Sequence, residues 1–251
     1  MPEIKILLSG AMGRLGRAVT AACEESDVYK VVAGVDIQPA AEKFPVYAKP
    51  ADCDCDVDVI IDCSHHTAVG PLLDYAIEKK LPVVICTTGH TVSEVTRIHE
   101  AAASIPVFYS RNMSVGINLL IELAKKAAKV LGEDFDIEII EKHHNKKLDA
   151  PSGTALMIAD AVADTVYYEP EYVYERQSRR QARDKKEIGI HSVRGGTIVG
   201  EHEILFAGTD EVITISHQAA SRDVFARGAI RAAGYVVGKE PGFYDMSTML
   251  A

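Results

Sequence analysis

Short β-branched runs alternate with helical patterns through the first half of the chain. They are "IKILLSG", a helix from Arg14 to about Glu25, "KVVAGVD", "DVDVIIDCS", a helix over Val69 to Lys79, "LPVVICTTG", a helix near Ser93 to Ala103, and "PVFYS". Strands separated by helices of this length predict parallel pairing through right-handed crossovers, a doubly wound α/β sheet. "VDVIIDC" is apolar on both faces, as a strand covered by helices on two sides requires. From Ser114 the pattern changes. A long helix with Ile117, Leu120, Ile121, Ala124, Ala128 and Leu131 on one face leads into "FDIEIIEKHH", where Ile137 and Ile139 set against Glu138 and Glu141 predict a half-exposed strand. After a helix starting near Gly153, the runs "YVYERQ", "IGIHSVRGG", "TIVGEHEILFAG" and "EVITISHQA" predict a second, α+β domain with a mostly antiparallel sheet. The amphipathic helix "DVFARGAIRAAGYVVG" closes the pattern, and periodicity alone does not name its partner.

Composition narrows the function classes. With 47% hydrophobic and 25% charged residues over 251 positions, the chain has the makings of an ordinary globular protein. A net charge of −9 argues against nucleic acid as a partner, since sequence-independent affinity comes from Lys and Arg displacing counterions. "MPEIKILLSG" lacks a basic region followed by an apolar stretch, and no later run nears the ~20 apolar residues a membrane span needs, so the expectation is a cytoplasmic protein without a membrane partner. Five cysteines, an odd and scattered set, fit a reducing compartment. Cys53-Asp54-Cys55 lacks the second pair a structural zinc site requires, and no metal is expected. "ERQSRRQARDKK", with six basic and two acidic residues, is expected to be a solvated, mobile connection, with gating of an anion as the alternative.

Two stretches carry chemistry. In "ILLSGAMGRLGRAV" a strand, a Gly10-x-x-Gly13-x-x-Gly16 turn and a helix bring backbone N–H groups and a positive helix end together, the arrangement a pyrophosphate needs. Asp36, 20 residues past Gly16 at the end of the second strand, is placed to accept the hydroxyls of an adenosine ribose. Ile37 and Gln38 follow it, with no arginine to neutralise a 2′-phosphate, which favours NADH over NADPH. Met12 stands where a stricter motif has glycine. Tyr75-x-x-x-Lys79 matches the spacing of a short-chain dehydrogenase dyad but lies too close to the glycine turn, and is read as chance on a surface helix.

The second stretch is "EKHHNKKLDAPSGTAL". Ser152 is the expected N-cap of the Gly153 helix, whose first N–H groups suit a carboxylate. His144, Lys147 and the Thr154 hydroxyl are candidates to converge on the same anion, and His143 to exchange a proton near neutral pH. Adjacent strand residues point to opposite faces, so His143 and His144 make a poor metal pair.

Together "EKHHNKKLDAPSGTAL", "SGAMGRLG", "CTTG", "SVGINLL", "IHSVRGGTIVGEHEILF" and "SRDVFARGAIRAAGYV" resemble the dihydrodipicolinate reductase (4-hydroxy-tetrahydrodipicolinate reductase) family over essentially the whole chain. The resemblance implies a Rossmann-like dinucleotide-binding domain over residues 1–112, completed by the C-terminal helix within 222–251, and a substrate-binding and tetramerisation domain over 113–221. It implies NAD(P)H-dependent reduction of a cyclic 4-hydroxy imine diacid, with loss of water, by a homotetramer. It makes His143 the proton donor or acceptor and Lys147 a second donor, with His144, Gly153 and Thr154 on the substrate carboxylates. Gly10, Ala11, Met12, Gly13, Arg14, Leu15 and Asp36 would hold the dinucleotide. Cys86, Thr87 and Thr88, with Ser110, Arg111, Asn112 and Met113, would line its nicotinamide end. Met12, Cys86, Arg111 and Met113 depart from the family's pattern, which bears on cofactor packing more than on the reaction. Two rival readings are a non-catalytic NADH sensor and another diacid dehydrogenase such as an aspartate dehydrogenase; the sensor leaves the His143 to Thr154 stretch without a use.

Overall fold

The alternating runs of the first half form a single parallel sheet. In the computed structural model, which describes residues 2–38 and 43–251, the chain forms two compact units. One reaches to Val115 and resumes over Arg222–Ala251; the other is Gly116–Ser221.

In the first unit, β1 (Ile4–Ser9), α1 (Arg14–Glu24), β2 (Tyr29–Val35), β3 (Val46–Tyr47), β4 (Val59–Asp62), α2 (Val69–Lys79), β5 (Val83–Ile85), α3 (Val92–Ala101) and β6 (Pro106–Tyr109) follow in order. The sheet order is β12-β6-β5-β4-β1-β2-β3, with every pairing parallel and β12 (Gly242–Tyr244) joining from the end of the chain. The order reverses between β1 and β4, and such a switch point opens a crevice at the carboxyl ends of the strands. Ile6 and Leu8 face one core with Ile61, Val84 and Phe108, while Leu7 faces the other with Ile60, Val83 and Ile85. Tyr75 is buried in that second core, so its spacing to the exposed Lys79 makes no surface dyad.

The C-terminal helix α6 (Asp223–Val236) closes the first core with Ala226, Ala229, Ala233 and Val236, and α7 (Met246–Leu250) adds Met246. Met113, expected in the second domain, is buried in this same core. Gly228 lets α6 approach it, because a Cβ there would overlap the Met113 carbonyl oxygen.

The second unit carries α4 (Val115–Leu131), β7 (Asp136–His143), α5 (Gly153–Ala163), β8 (Glu171–Val173), β9 (Glu187–Arg194), β10 (Gly200–Ala207) and β11 (Val212–Ala219). Its sheet, β11-β10-β7-β9-β8, corrects the mostly antiparallel expectation: β10 pairs antiparallel with β11 and β7, but β9 pairs parallel with β7 and β8. The sheet is mixed because the chain crosses over through α5 between β7 and β8, and through a long segment between β8 and β9.

That segment is the basic run; most of it is exposed, as expected, but three of its arginines are held by carboxylates of the sheet. Arg176 pairs with Glu187 (2.6 Å) and Glu138 (3.1 Å), Arg183 with Glu138 (2.8 Å) and Asp136 (3.0 Å), and Arg179 with Glu171 (2.7 Å). Carboxylates of β7, β8 and β9 thus tie Arg176, Arg179 and Arg183 of the crossover to the sheet, while Arg180, Lys185 and Lys186 are exposed.

Substituting Gly228→Ala forces α6 off Met113. Overpacking of this kind costs about 1–3 kcal/mol, so urea denaturation of the variant is expected to show a lowered midpoint; an unchanged midpoint would mean α6 is not seated on the first unit's core.

Candidate active site

In the first unit the chemistry gathers at the carboxyl ends of β1, β2, β4 and β5. Gly10 leaves β1 with φ +76°, a conformation glycine adopts without steric cost. Its N–H donates to the Val35 carbonyl at 2.8 Å, and a Cβ would sit 2.6 Å from the Cys63 carbonyl oxygen. Gly16, in the first turn of α1, lies so close that a Cβ would overlap the Gly10 carbonyl. Gly13 is the N-cap without a side-chain cap, and the first turn carries no acidic residue. The N-terminus of α1, with Arg14 exposed and Leu15 against the core, is therefore a positive helix end with no built-in counter-charge, which fits a pyrophosphate.

Asp36 stands at the same turn. Its Oδ2 accepts the Met12 N–H at 3.0 Å and its Oδ1 the Gln38 N–H at 3.3 Å. The loop uses the backbone of Met12, and Arg17 Nε donates to the Met12 carbonyl at 3.0 Å.

Beside this turn lies a buried polar knot outside the sequence-based expectations. Asp62, 0% exposed at the end of β4, accepts from Thr87 Oγ1 (2.7 Å) and Ser64 Oγ (2.6 Å). Thr87 is thus committed to joining β4 and β5, whereas Thr88 is exposed. Cys86 is buried, and its neighbour Cys63 together with burial pushes its thiol well above the usual range, so it stays un-ionised. In the next loop Ser110 Oγ donates to the Asn112 carbonyl (2.8 Å), and Asn112 Oδ1 accepts the Ser114 N–H (2.8 Å), with Arg111 exposed.

In the second unit the site grows out of one face of the sheet. Residues of β7 alternate with period two, so Ile137, Ile139, Glu141 and His143 share a side. Pairing registers place Ile204 and Ile190 beside Ile139, then His202 and Ser192 beside Glu141, then Arg194 beside His143, whose ring also lies against Gly200. The apolar face that packs on α4 and α5 thus turns polar over its last two rows.

Glu141 corrects the expectation that it joins Glu138 on an outward face. It is 0% exposed. Its Oε2 meets His143 Nδ1 at 2.6 Å, Arg194 donates to both oxygens at 2.8 and 2.7 Å, and the Ser152 N–H donates to Oε1 at 3.1 Å. Burial alone would raise its pKa, but these donors, Arg194 foremost, outweigh it and bring the carboxyl to about 2.

His143 is held on its Nδ1 side and faces Gly200 with the other: a Cβ at Gly200 would lie 3.1 Å from His143 Nε2. Burial shifts its pKa below the ordinary histidine value, aided by Lys147 and Arg194 and opposed by Glu141. Its edge-to-face neighbour His202, 5.3 Å between ring centroids, is driven down to about 4 by burial first and by His143 next. His202 Nε2 meets Ser152 Oγ at 3.1 Å.

Ser152 caps α5 as expected, accepting the Ala155 N–H at 3.1 Å. Gly153 opens the helix, exposed and with no atom within 4 Å of an added Cβ; Thr154 follows half-buried. Lys147 pairs with Asp149 at 2.9 Å, and Arg194 also donates to the Asp149 carbonyl at 2.7 Å. The half-buried His144 precedes them, its carbonyl accepting the Lys147 N–H at 3.1 Å. The expected residues His143, Lys147 and Gly153 therefore sit around one Glu141–Arg194 pair absent from the candidate set. Glu141 was detectable by its even spacing from His143, whereas Arg194 was not, because only strand register brings it alongside. Among the described residues no three or more His, Cys, Asp or Glu side chains gather as ligands for a metal ion.

Comparison with known proteins covers both units. A family model described as dihydrodipicolinate reductase, N-terminus, matches residues 4–113, and one described as dihydrodipicolinate reductase, C-terminus, matches residues 116–250. A curated 4-hydroxy-tetrahydrodipicolinate reductase from Caldanaerobacter subterraneus subsp. tengcongensis is 51% identical over 247 residues, covering 98% of each chain. One of the same name from Clostridium tetani is 46% identical over 248 residues, covering 98% of this chain and 97% of the relative. Among solved structures, a dipicolinate-bound dihydrodipicolinate reductase from Paenisporosarcina sp. TG-14 shares the fold with a TM-score of 0.82 at 24% identity, covering 97% of both chains.

The depressed carboxyl of Glu141 makes a signed stability prediction. Its contribution is present above the unfolded value, 4.5, and is lost as pH falls through about 2. Denaturation midpoints of the unsubstituted protein should fall across that window, and Glu141→Gln should show a shallower fall over the same range; equal slopes would refute the ionised, bonded carboxylate.

Proposed function

The chain belongs to the dihydrodipicolinate reductase family, and from that premise we propose how its two units divide the reaction. The chain reduces 4-hydroxy-tetrahydrodipicolinate to tetrahydrodipicolinate with loss of water, a step of lysine biosynthesis through diaminopimelate. A nicotinamide dinucleotide, when bound, supplies the hydride. The first unit holds it, with the pyrophosphate at the uncapped start of α1 and the adenosine ribose on Asp36. NADH is the preferred form, because Asp36 would repel a 2′-phosphate and the exposed Ile37 and Gln38 beside it offer no positive charge. Thr88 and the Ser110 to Met113 loop lie toward the nicotinamide, with Cys86 and Thr87 shaping the strand end beneath.

The second unit binds the cyclic diacid and moves the proton. Hydride addition to a conjugated imine leaves negative charge on adjoining atoms, which a positioned acid must meet. His143 is that acid, acting from Nε2. A substrate carrying two carboxylates offsets the burial that lowers the imidazole's pKa, so the ring takes up its proton as the diacid arrives. Gly153, Thr154 and His144 hold the carboxylates, and a carboxylate competes with Asp149 for Lys147, which is then a second proton donor. The observation that carries this reading is an imidazole fixed by a buried carboxylate next to the open, serine-capped start of α5.

A homotetramer in the cytoplasm completes the proposal. β11 supports the assembly, as an edge strand with Val212 59% exposed and Ile213 beside it also exposed; such an edge is commonly covered by a partner. No helix among the described residues is long and apolar enough to cross a membrane.

With freshly prepared 4-hydroxy diacid and NADH, His143→Ala should lower kcat by on the order of 10²- to 10⁴-fold with NADH affinity nearly unchanged, while Lys147→Ala should also raise KM for the diacid. Parental turnover in His143→Ala, read by NADH oxidation, would remove His143 from the role of acid.

A further inference from the structure

We propose that Glu141 and Arg194 are positioning residues for the proton donor, Glu141 holding the imidazole of His143 in one tautomer and favouring its protonated form, and Arg194 limiting that effect. This rests on the preceding assignment of His143 as the acid.

Donor and acceptor counts fix the tautomer. An ionised carboxylate only accepts, so the 2.6 Å contact from Glu141 Oε2 requires a proton on His143 Nδ1. In the neutral ring Nε2 is then left with its lone pair, the state that can load and release a proton on the Gly200 side. The opposite tautomer would set two acceptors against each other at that distance. Glu141 cannot swing away, because the Arg194 fork and the Ser152 N–H occupy the rest of its carboxylate, and it is fully buried.

Charge sets the second half. Facing His143 are Glu141 on its own strand, Arg194 from β9, His202 from β10 with His217 of β11 behind it, and Lys147 from the following loop, itself paired with Asp149. Of these Glu141 is the contact that favours an imidazolium, and Arg194 is the fixed cation that shares the same carboxylate. A carboxylate without its guanidinium would pull a proton onto His143 harder; a guanidinium without its carboxylate would push it off. A pair that served only to brace β7 against β9 would alter stability and leave the titration of His143 where it was.

The test is the pH dependence of kcat/KM, whose alkaline limb reports loss of the proton from the acid. Loss or gain of a neighbouring opposite charge moves a pKa by about 1–3 units. Glu141→Gln should shift the alkaline limb to lower pH by about one unit or more, and Arg194→Met should shift it to higher pH by a similar amount. Gly200→Ala, which presses on Nε2 without touching the pair, should lower kcat. Should Glu141→Gln fail to fold, the arginine variants decide: Arg194→Met moves the limb up and Arg194→Lys restores it. Limbs that coincide with the parent's, or that move the same way in Glu141→Gln and Arg194→Met, overturn the proposal. If His143→Ala remains inactive in that event, the assignment of the acid stands and only the positioning role is lost.

Discussion

A carboxylate buried at the end of an apolar sheet face is expensive unless every oxygen is engaged, and Glu141 meets that condition with donors from three places in the chain. His143 is two residues on in the same strand, Arg194 comes from the neighbouring parallel strand, and the Ser152 N–H comes from the start of α5. Removing one partner of such a set leaves an uncompensated buried charge. The same contacts therefore fix three features at once: the ring orientation of His143, the register of β7 on β9, and the position from which α5 begins. The sequence separation of these donors, 2, 11 and 53 residues, means that none of the three can be adjusted by a local change.

The first unit solves a different problem by closeness of backbone. Parallel strands buried on both faces leave only their carboxyl ends for polar chemistry, and the reversal of strand order between β1 and β4 opens that end. Gly10 and Gly16 allow the turn to fold against Cys63 and against itself, so that an uncapped helix start and the carboxylate of Asp36 meet at the Met12 amide. Asp62 closes the neighbouring strand ends by binding Thr87 and Ser64. Here acidic side chains organise backbone and hydroxyl donors, whereas in the second unit an acidic side chain organises a titrating ring.

Much of this was legible in the sequence, for physical reasons that also mark where legibility ended. The long periodic segments gave their elements well: α2 spans Val69–Lys79 as expected, and Ser152 caps α5 because its hydroxyl precedes a helical pattern at the right place. The Gly10 turn and Asp36 follow from the spacing that a strand, turn and helix impose. Pairing partners did not follow. β9 lies parallel to β7, a fact set by the crossover between β8 and β9 and invisible to alternation within either strand. The basic segment is largely exposed, as expected, but the pairing of its arginines with Glu138, Asp136 and Glu187 is not legible, because those carboxylates are distant in sequence or masked by an apolar pattern. Glu141 was misplaced because a charged residue was assumed to face outward, although the period of two already put it with Ile137 and Ile139. The two-residue β3 is too short to leave a pattern at all.

The tautomer of His143 tests the central claim most directly. In protein labelled with ¹⁵N-histidine, at a pH above the ordinary histidine range where the ring is uncharged, long-range ¹H–¹⁵N correlation distinguishes a protonated from a bare ring nitrogen. A proton on Nδ1 and a bare Nε2 are expected. A neutral ring with its proton on Nε2 would contradict the claim.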